Sequence, residues 1–255
     1  MIRGIVLSAL VAGLAASLVL TAVQRYQVVP IILEAETYES AAAADHAADH
    51  VDGNRQASQA GGGEAAAHVH DTAGHDAAGH EAWAPEDGIE RALWTALANA
   101  GVGIGFALLL CAAYAWRGGV GMREGVLWGI AGFLVFFVNP SFGLQPEIPG
   151  AASAELGARQ LWWIGTVACT ALGVGLVVFG RGAGTAAAGA LLCLVPHVIG
   201  APQPGAAGGN APLELAHAFV GASYVANGVF WIVLGAASAY AFTRLARLER
   251  PDAAA

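Results

Sequence analysis

Six apolar runs, most of them as long as a bilayer is thick, dictate what this chain can fold into. They occupy residues 5–23, 92–115, 124–138, 161–180, 184–199 and 216–242. A hydrocarbon core of about 30 Å is crossed by roughly 20 helical residues, so each run is a candidate span. Charged residues make up only 12% of the chain, where a soluble domain carries about 25%. The expected fold is all-α, a polytopic transmembrane helical bundle of about six spans. Five remain if the run at 184–199 fails, because residues 186–194 are rich in small side chains. The first run also admits a cleavable signal peptide, with Leu20-Thr-Ala22 as the small-residue site. A retained helix is the better reading: little charge precedes it, and apolar character continues through Val28-Val-Pro-Ile-Ile-Leu33.

Residues 34–90 are different in kind. They are rich in Ala, Gly, His and Asp and hold few large apolar side chains. Such a segment buries too little surface to offset chain entropy, so a largely disordered loop is expected, with a helical start near Glu34-Ala-Glu-Thr-Tyr-Glu39. The chain then divides into a first helix with an outer extension (1–33), this low-complexity loop (34–90), two hairpins each followed by a Pro-rich turn (91–150 and 151–205), and a last helix with a basic tail (206–255).

The turns are as informative as the spans. Residues 139–150 read Asn-Pro-Ser-Phe-Gly-Leu-Gln-Pro-Glu-Ile-Pro-Gly, and Val195-Pro-His-Val-Ile-Gly-Ala-Pro-Gln-Pro-Gly205 is a shorter relative. Each proline removes an amide donor and fixes φ. The hairpins echo each other: Arg91-Ala-Leu-Trp94 opens one, Arg159-Gln-Leu-Trp162 the next, and each turns at Arg-Gly. A parallel repeat would explain this; so would chance similarity between Gly/Ala-rich spans.

Every basic residue is an arginine. With six spans, Arg3, Arg117, Arg123, Arg181, Arg244, Arg247 and Arg250 share one side, assigned as cytoplasmic by the positive-inside rule. Both termini are then cytoplasmic and the loop faces outward. Trp94, Trp116, Trp128, Trp162 and Trp163 fall near span ends, where an interfacial aromatic belt is expected. The net charge of −8 argues against a nucleic-acid partner, and the bilayer is the obvious one.

Six of the eight histidines lie in the loop, interleaved with acids: Asp45, His46, Asp49, His50, His68, His70, Asp71, His75, Asp76 and His80. Imidazole suits Co, Ni, Cu and Zn, and carboxylates complete a mixed shell. The spacings match no closed zinc pattern, so many weak, exchanging sites are expected. A solvated acidic linker is the competing reading. His197 and His217 flank the second Pro-rich turn, and ionisable groups at membrane depth mark ion pathways; each could instead be an interfacial His satisfied by a backbone carbonyl. Gln145, Glu147, Glu214, Glu34 and Glu36 fall at or near the same outer surface, and Asn139 ends a span. Asn139 shares with Gln24, Asn99 and Asn227 the commoner role of interhelical hydrogen bonding. Cys111, Cys169 and Cys193 lie in apolar runs without CxxC spacing and read as small hydrophobes. There is no nucleophile with its base, no haem signature and no lysine for a phosphate-binding loop, so the chain does not read as an enzyme.

Val28-Val-Pro-Ile-Ile-Leu-Glu-Ala-Glu36, Gln145-Pro-Glu-Ile-Pro-Gly150, Arg159-Gln-Leu-Trp-Trp163 and Pro196-His-Val-Ile-Gly-Ala-Pro202 resemble the CbtA-type cobalt transporter subunits. The resemblance covers nearly the whole chain outside the low-complexity loop. It implies a bacterial inner-membrane protein that serves cobalt supply for cobalamin, paired with a small one-span CbtB-type subunit. No tightly bound cofactor is implied; the divalent metal is cargo, with cobalt favoured and nickel or zinc suited to the same ligands. A homo-oligomer is compatible with the sequence. The alternative, from another class, is a membrane metal sensor or scaffold that buffers metal for a different permease. Because imidazole must be neutral to ligate and titrates near about 6.5, metal binding by the loop should be lost as pH falls through roughly 6. Calorimetry at about pH 7.5 and pH 5.5 checks this; equal affinity would mean carboxylate-only binding.

Overall fold

The computed structural model describes residues 2–42, 85–205 and 209–248. The loop ligands from Asp45 to His80 lie outside these residues. Six helices account for most of the described chain: α1 Ile2–Ala42, α2 Ile89–Trp116, α3 Met122–Ser141 and α4 Leu156–Phe179, then α5 Ala183–Ile199 and α6 Leu213–Leu248. Five are long and apolar enough to cross a membrane, and α5, at 17 residues, is shorter. Its bounds have a backbone cause. Gly182 (φ 93°) and Gly200 (φ 89°) adopt left-handed conformations that glycine tolerates, and Pro196 sits in the last turn. Among the described residues no strand forms beyond an isolated antiparallel bridge between Ala151 and Gly209.

Helix α1 is about 60 Å long at 1.5 Å per residue, well beyond a bilayer core. It packs against α2 and α6, burying Ser8, Ala9, Ala12, Gly13, Ala16, Ser17 and Leu20. Helix α6 is the axis of the bundle, touching α1, α2 and α3 and contributing Phe230, Trp231 and Leu234 to the core. Large apolar side chains such as Leu161, Leu172 and Val198 are exposed, as lipid-facing positions are.

Lipid supplies no hydrophobic drive between helices, so close backbone approach has to hold them. Gly13 of α1 lies so near α2 that an added Cβ would fall 2.6 Å from Ile104 Cα. On α6, a Cβ at Gly235 would fall 2.8 Å from Gly129 Cα of α3. On α4, one at Gly173 would meet the Gly189 carbonyl of α5 at 2.6 Å. The hairpin α4–α5 is thus closely packed, whereas α3 packs on α6 rather than returning along α2. The two hairpins echo each other in sequence but not in packing.

An apolar cavity of about 590 Å³ lies between α2, α3 and α4, lined by residues such as Phe106, Leu110, Leu127, Val135, Val174 and Val178. Aromatic contacts bound it, Phe136 with Trp163 (6.4 Å between centroids) and Trp128 with Phe179 (6.1 Å). Arg117 lies over the Phe179 ring at 4.6 Å.

Two helices widen just before a proline. In α1 the π-turn Gln24–Val28 precedes Val29-Pro30, and in α3 Leu134–Val138 precedes Asn139-Pro140. The proline ring clashes with the carbonyl four residues back, and a wider turn relieves that clash. Val29 N–H bonds the Gln24 carbonyl, and Asn139 N–H bonds that of Leu134. Each shift, with the proline's missing donor, leaves two successive carbonyls without an i+4 partner: Arg25 and Tyr26 in α1, Val135 and Phe136 in α3.

Gly129→Val should lower stability by about 1–3 kcal/mol through overpacking against Trp231 and Gly235. Gly105→Ala, where nothing lies within 4 Å of an added Cβ, should be neutral. Thermal unfolding in detergent distinguishes them.

Candidate functional site

The Pro-rich turns meet at one end of the bundle. A Cβ on Gly143 would fall 2.9 Å from that of Ala201, and the Ala151–Gly209 bridge joins the turns again further on. Helix α5 returns to the level where α4 starts, because Trp162 Nε1 donates to the Pro196 carbonyl at 3.2 Å. Asn139, on the last turn of α3, therefore faces both helices.

Its amide ties them together. Asn139 Nδ2 donates to Thr170 Oγ1 of α4 (2.6 Å) and to the Cys193 carbonyl of α5 (3.2 Å). A carbonyl only accepts, so the amide orientation is fixed, and Asn139 Oδ1 points at His197 Nε2, 3.2 Å away. Thr170 Oγ1 passes its own proton to the Thr166 carbonyl. An acceptor facing Nε2 means that neutral His197 carries its proton there. Among the described residues no hydrogen bond reaches Nδ1, and a metal-ligating imidazole has its far N–H held by an oxygen in this way. Trp162 (5.8 Å) and Phe142 (6.3 Å) flank the ring edge-on.

The other sequence candidates divide into paired and exposed. Glu147 is bound by Arg159 (3.0 Å) and by the Ser153 hydroxyl (2.6 Å). Among the described residues no hydrogen bond joins it to His197. Glu36 makes a two-pronged ion pair with Arg91, one arm at 3.0 Å, and Asp87 adds a second acid at 3.0 Å. Gln145, Glu34, Glu214 and His217 are exposed. Glu155, shortly after the first Pro-rich turn, caps α4 by accepting from the Gly157 and Ala158 N–H groups, which hold its carboxyl below the usual carboxylate range. Among the described residues no three His, Cys, Asp or Glu side chains converge on a metal position.

Thr170, the Cys193 carbonyl and Trp162 are members that sequence reading missed. The signals were Thr166 and Thr170, one helical turn apart, and a proline three residues after Cys193. Trp162, expected in an interfacial belt, also walls the histidine.

A family model described as Probable cobalt transporter subunit (CbtA) matches residues 2–243. The chain belongs to this family. Comparisons with curated proteins and with solved structures found no match. Membership in CbtA gives the apolar helices their setting: this is a membrane protein of a cobalt transport family.

Asn139→Leu should free His197 from its tautomer restraint and leave Thr170 and Cys193 short of a donor, at about 1–3 kcal/mol. Nitrogen NMR of labelled histidine should show His197 protonated at Nε2 in the parent and lose that bias in the variant.

Proposed function

We propose that this chain is the membrane subunit of a cobalt uptake system in the bacterial inner membrane, in which the outward His/Asp loop gathers the ion and the Asn139–His197 node receives it. The observation that carries this reading is the contact between Asn139 Oδ1 and His197 Nε2, which holds an imidazole at the end of the bundle where both Pro-rich turns meet. Imidazole selects borderline transition metals over alkali and alkaline-earth ions. Family membership favours cobalt among them, and nickel and zinc would suit the same ligand. The arginine asymmetry supports an orientation with both termini cytoplasmic and the loop outside. His46, His50, His68, His70, His75 and His80, with Asp45, Asp49, Asp71 and Asp76, would hold the ion weakly before transfer.

Glu147 and Glu36 act in this scheme through their arginines, fixing the starts of α4 and α2, rather than as ligands. Gln145, Glu34, Glu214 and His217 remain free to meet a hydrated ion at the surface. A one-span subunit of the CbtB type would complete the transporter.

Cobalt flux into reconstituted vesicles tests the reading. Deleting residues 46–80 should leave insertion intact and weaken uptake mainly at low external metal. His197→Ala should reduce flux by roughly 10-fold or more at all concentrations while loop binding persists. Metal binding without any flux, in the presence of the partner, would establish a buffering scaffold instead.

A further inference from the structure

A second polar node sits on the other widened turn, and the cobalt route makes no use of it. Asn99 Nδ2 of α2 donates to Thr21 Oγ1 (3.0 Å) and Gln24 Oε1 (2.7 Å) of α1. Ser17 Oγ lies 2.7 Å from both the Asn99 and the Gly13 carbonyls, and Thr21 Oγ1 donates to the Ser17 carbonyl at 2.8 Å. With both side-chain protons committed to α1, Asn99 keeps an Oδ1 to which no donor among the described residues bonds. The carbonyls of Arg25 and Tyr26, stripped of their i+4 donors by the widened turn and Pro30, lie on the same stretch.

Every acceptor here is a neutral oxygen from an amide, a hydroxyl or a carbonyl. Imidazole recommends the Asn139–His197 node for a transition metal, and none is present at this one. Neutral hard oxygens suit alkali and alkaline-earth cations. The charged groups around the turn decide between those. Arg25 lies on the widened turn itself and is exposed, while Glu36 of α1 and Arg91, about two turns before Asn99 in α2, neutralise each other. Repulsion from Arg25 is twice as large for a dication as for a monocation at the same distance. Broken membrane helices that offer freed carbonyls hold sodium in coupled transporters.

We propose that the Gln24–Asn99 node binds a monovalent alkali cation, sodium, and that this binding is coupled to movement of the metal. Only the coupling rests on the transport reading above; the binding stands by itself. The Asn99 amide presents N–H to Gln24 Oε1. Rotating it would set two oxygens against each other, and a cation between them turns that repulsion into coordination. Occupancy therefore replaces a hydrogen bond between α1 and α2 with a cation bridge.

The test uses the full chain in detergent, with sodium chloride exchanged for choline chloride at constant ionic strength. A saturable rise in unfolding temperature with sodium is expected, lost in both Asn99→Leu and Gln24→Leu and retained in His197→Ala. Asn99→Asp, which keeps the oxygens and adds a charge, should move the sodium midpoint to lower concentration. Equal unfolding temperatures in sodium and choline, a response that survives both leucine variants, or an unmoved midpoint in Asn99→Asp would overturn the site. In vesicles, an inward sodium gradient should stimulate cobalt uptake several-fold, and uptake indifferent to the gradient would overturn the coupling. Absence of all cobalt flux would instead defeat the transport reading, with the unfolding series still deciding for or against sodium.

Discussion

A proline in a membrane helix removes a backbone donor where hydrocarbon cannot replace it. Three such prolines organise this bundle. Pro30 and Pro140 each follow a π-turn, and Pro196 sits in the last turn of α5. Around each break a polar side chain bridges to a neighbouring helix: Gln24 and Thr21 meet Asn99, and Asn139 meets Thr170 and the Cys193 carbonyl. The breaks and the buried polarity therefore share a cause. Each interruption creates local demand for hydrogen bonds, and amides, with donor and acceptor on one short stem, can serve a carbonyl and a hydroxyl together.

The remaining packing follows from the lack of hydrophobic drive between helices in lipid. Where glycines face one another, as at Gly13 with Gly103, Gly129 with Gly235 and Gly173 with Gly189, backbones approach closely and the pairing is rigid. These seams divide the molecule. One joins α1 to α2 and another joins α3 to α6; the third is internal to the α4–α5 hairpin. Between hairpin and bundle the contacts are aromatic and concentrated toward the ends, with the apolar cavity between them. Asn139 is the polar tie across that boundary, and a change at His197 or Cys193 would be felt on both sides of it.

Hydropathy made the helical membrane class legible, because apolar length has one structural solution in lipid. The short α5 was legible too, as small residues between glycines. Partners were not. Asn139 and His197 were each visible as polar residues near span ends, but their joining depends on α5 returning to the level of Trp162, a tertiary fact without a sequence period. The same limit hid the partner of Glu147: Arg159, twelve residues along the chain, is the charge that it reaches. The π-turns carried a readable cue in Val29-Pro30 and Asn139-Pro140. In the 139–150 turn proline reads as a helix stop, and α3 ends at Ser141, whereas α1 accommodates Pro30 by widening one turn and continuing to Ala42.

Charge pairing at the loop end of the bundle bears on how a cation could pass. Glu36 with Arg91 and Glu147 with Arg159 cancel the acids nearest the two nodes, and the nodes themselves are built from uncharged groups. A free carboxylate at that depth would hold a divalent metal strongly and release it slowly. A single neutral imidazole, steadied by one amide oxygen, offers less. Conduction needs binding that is favourable enough to admit an ion and weak enough to let it leave. Strong ligation is compatible with passage only where ligands can exchange, and a segment with many histidines and acids supplies that exchange by sequence composition alone. In the proposed transport scheme, dense ligands in the loop and sparse, neutral ones in the bundle would form a gradient of affinity for the ion.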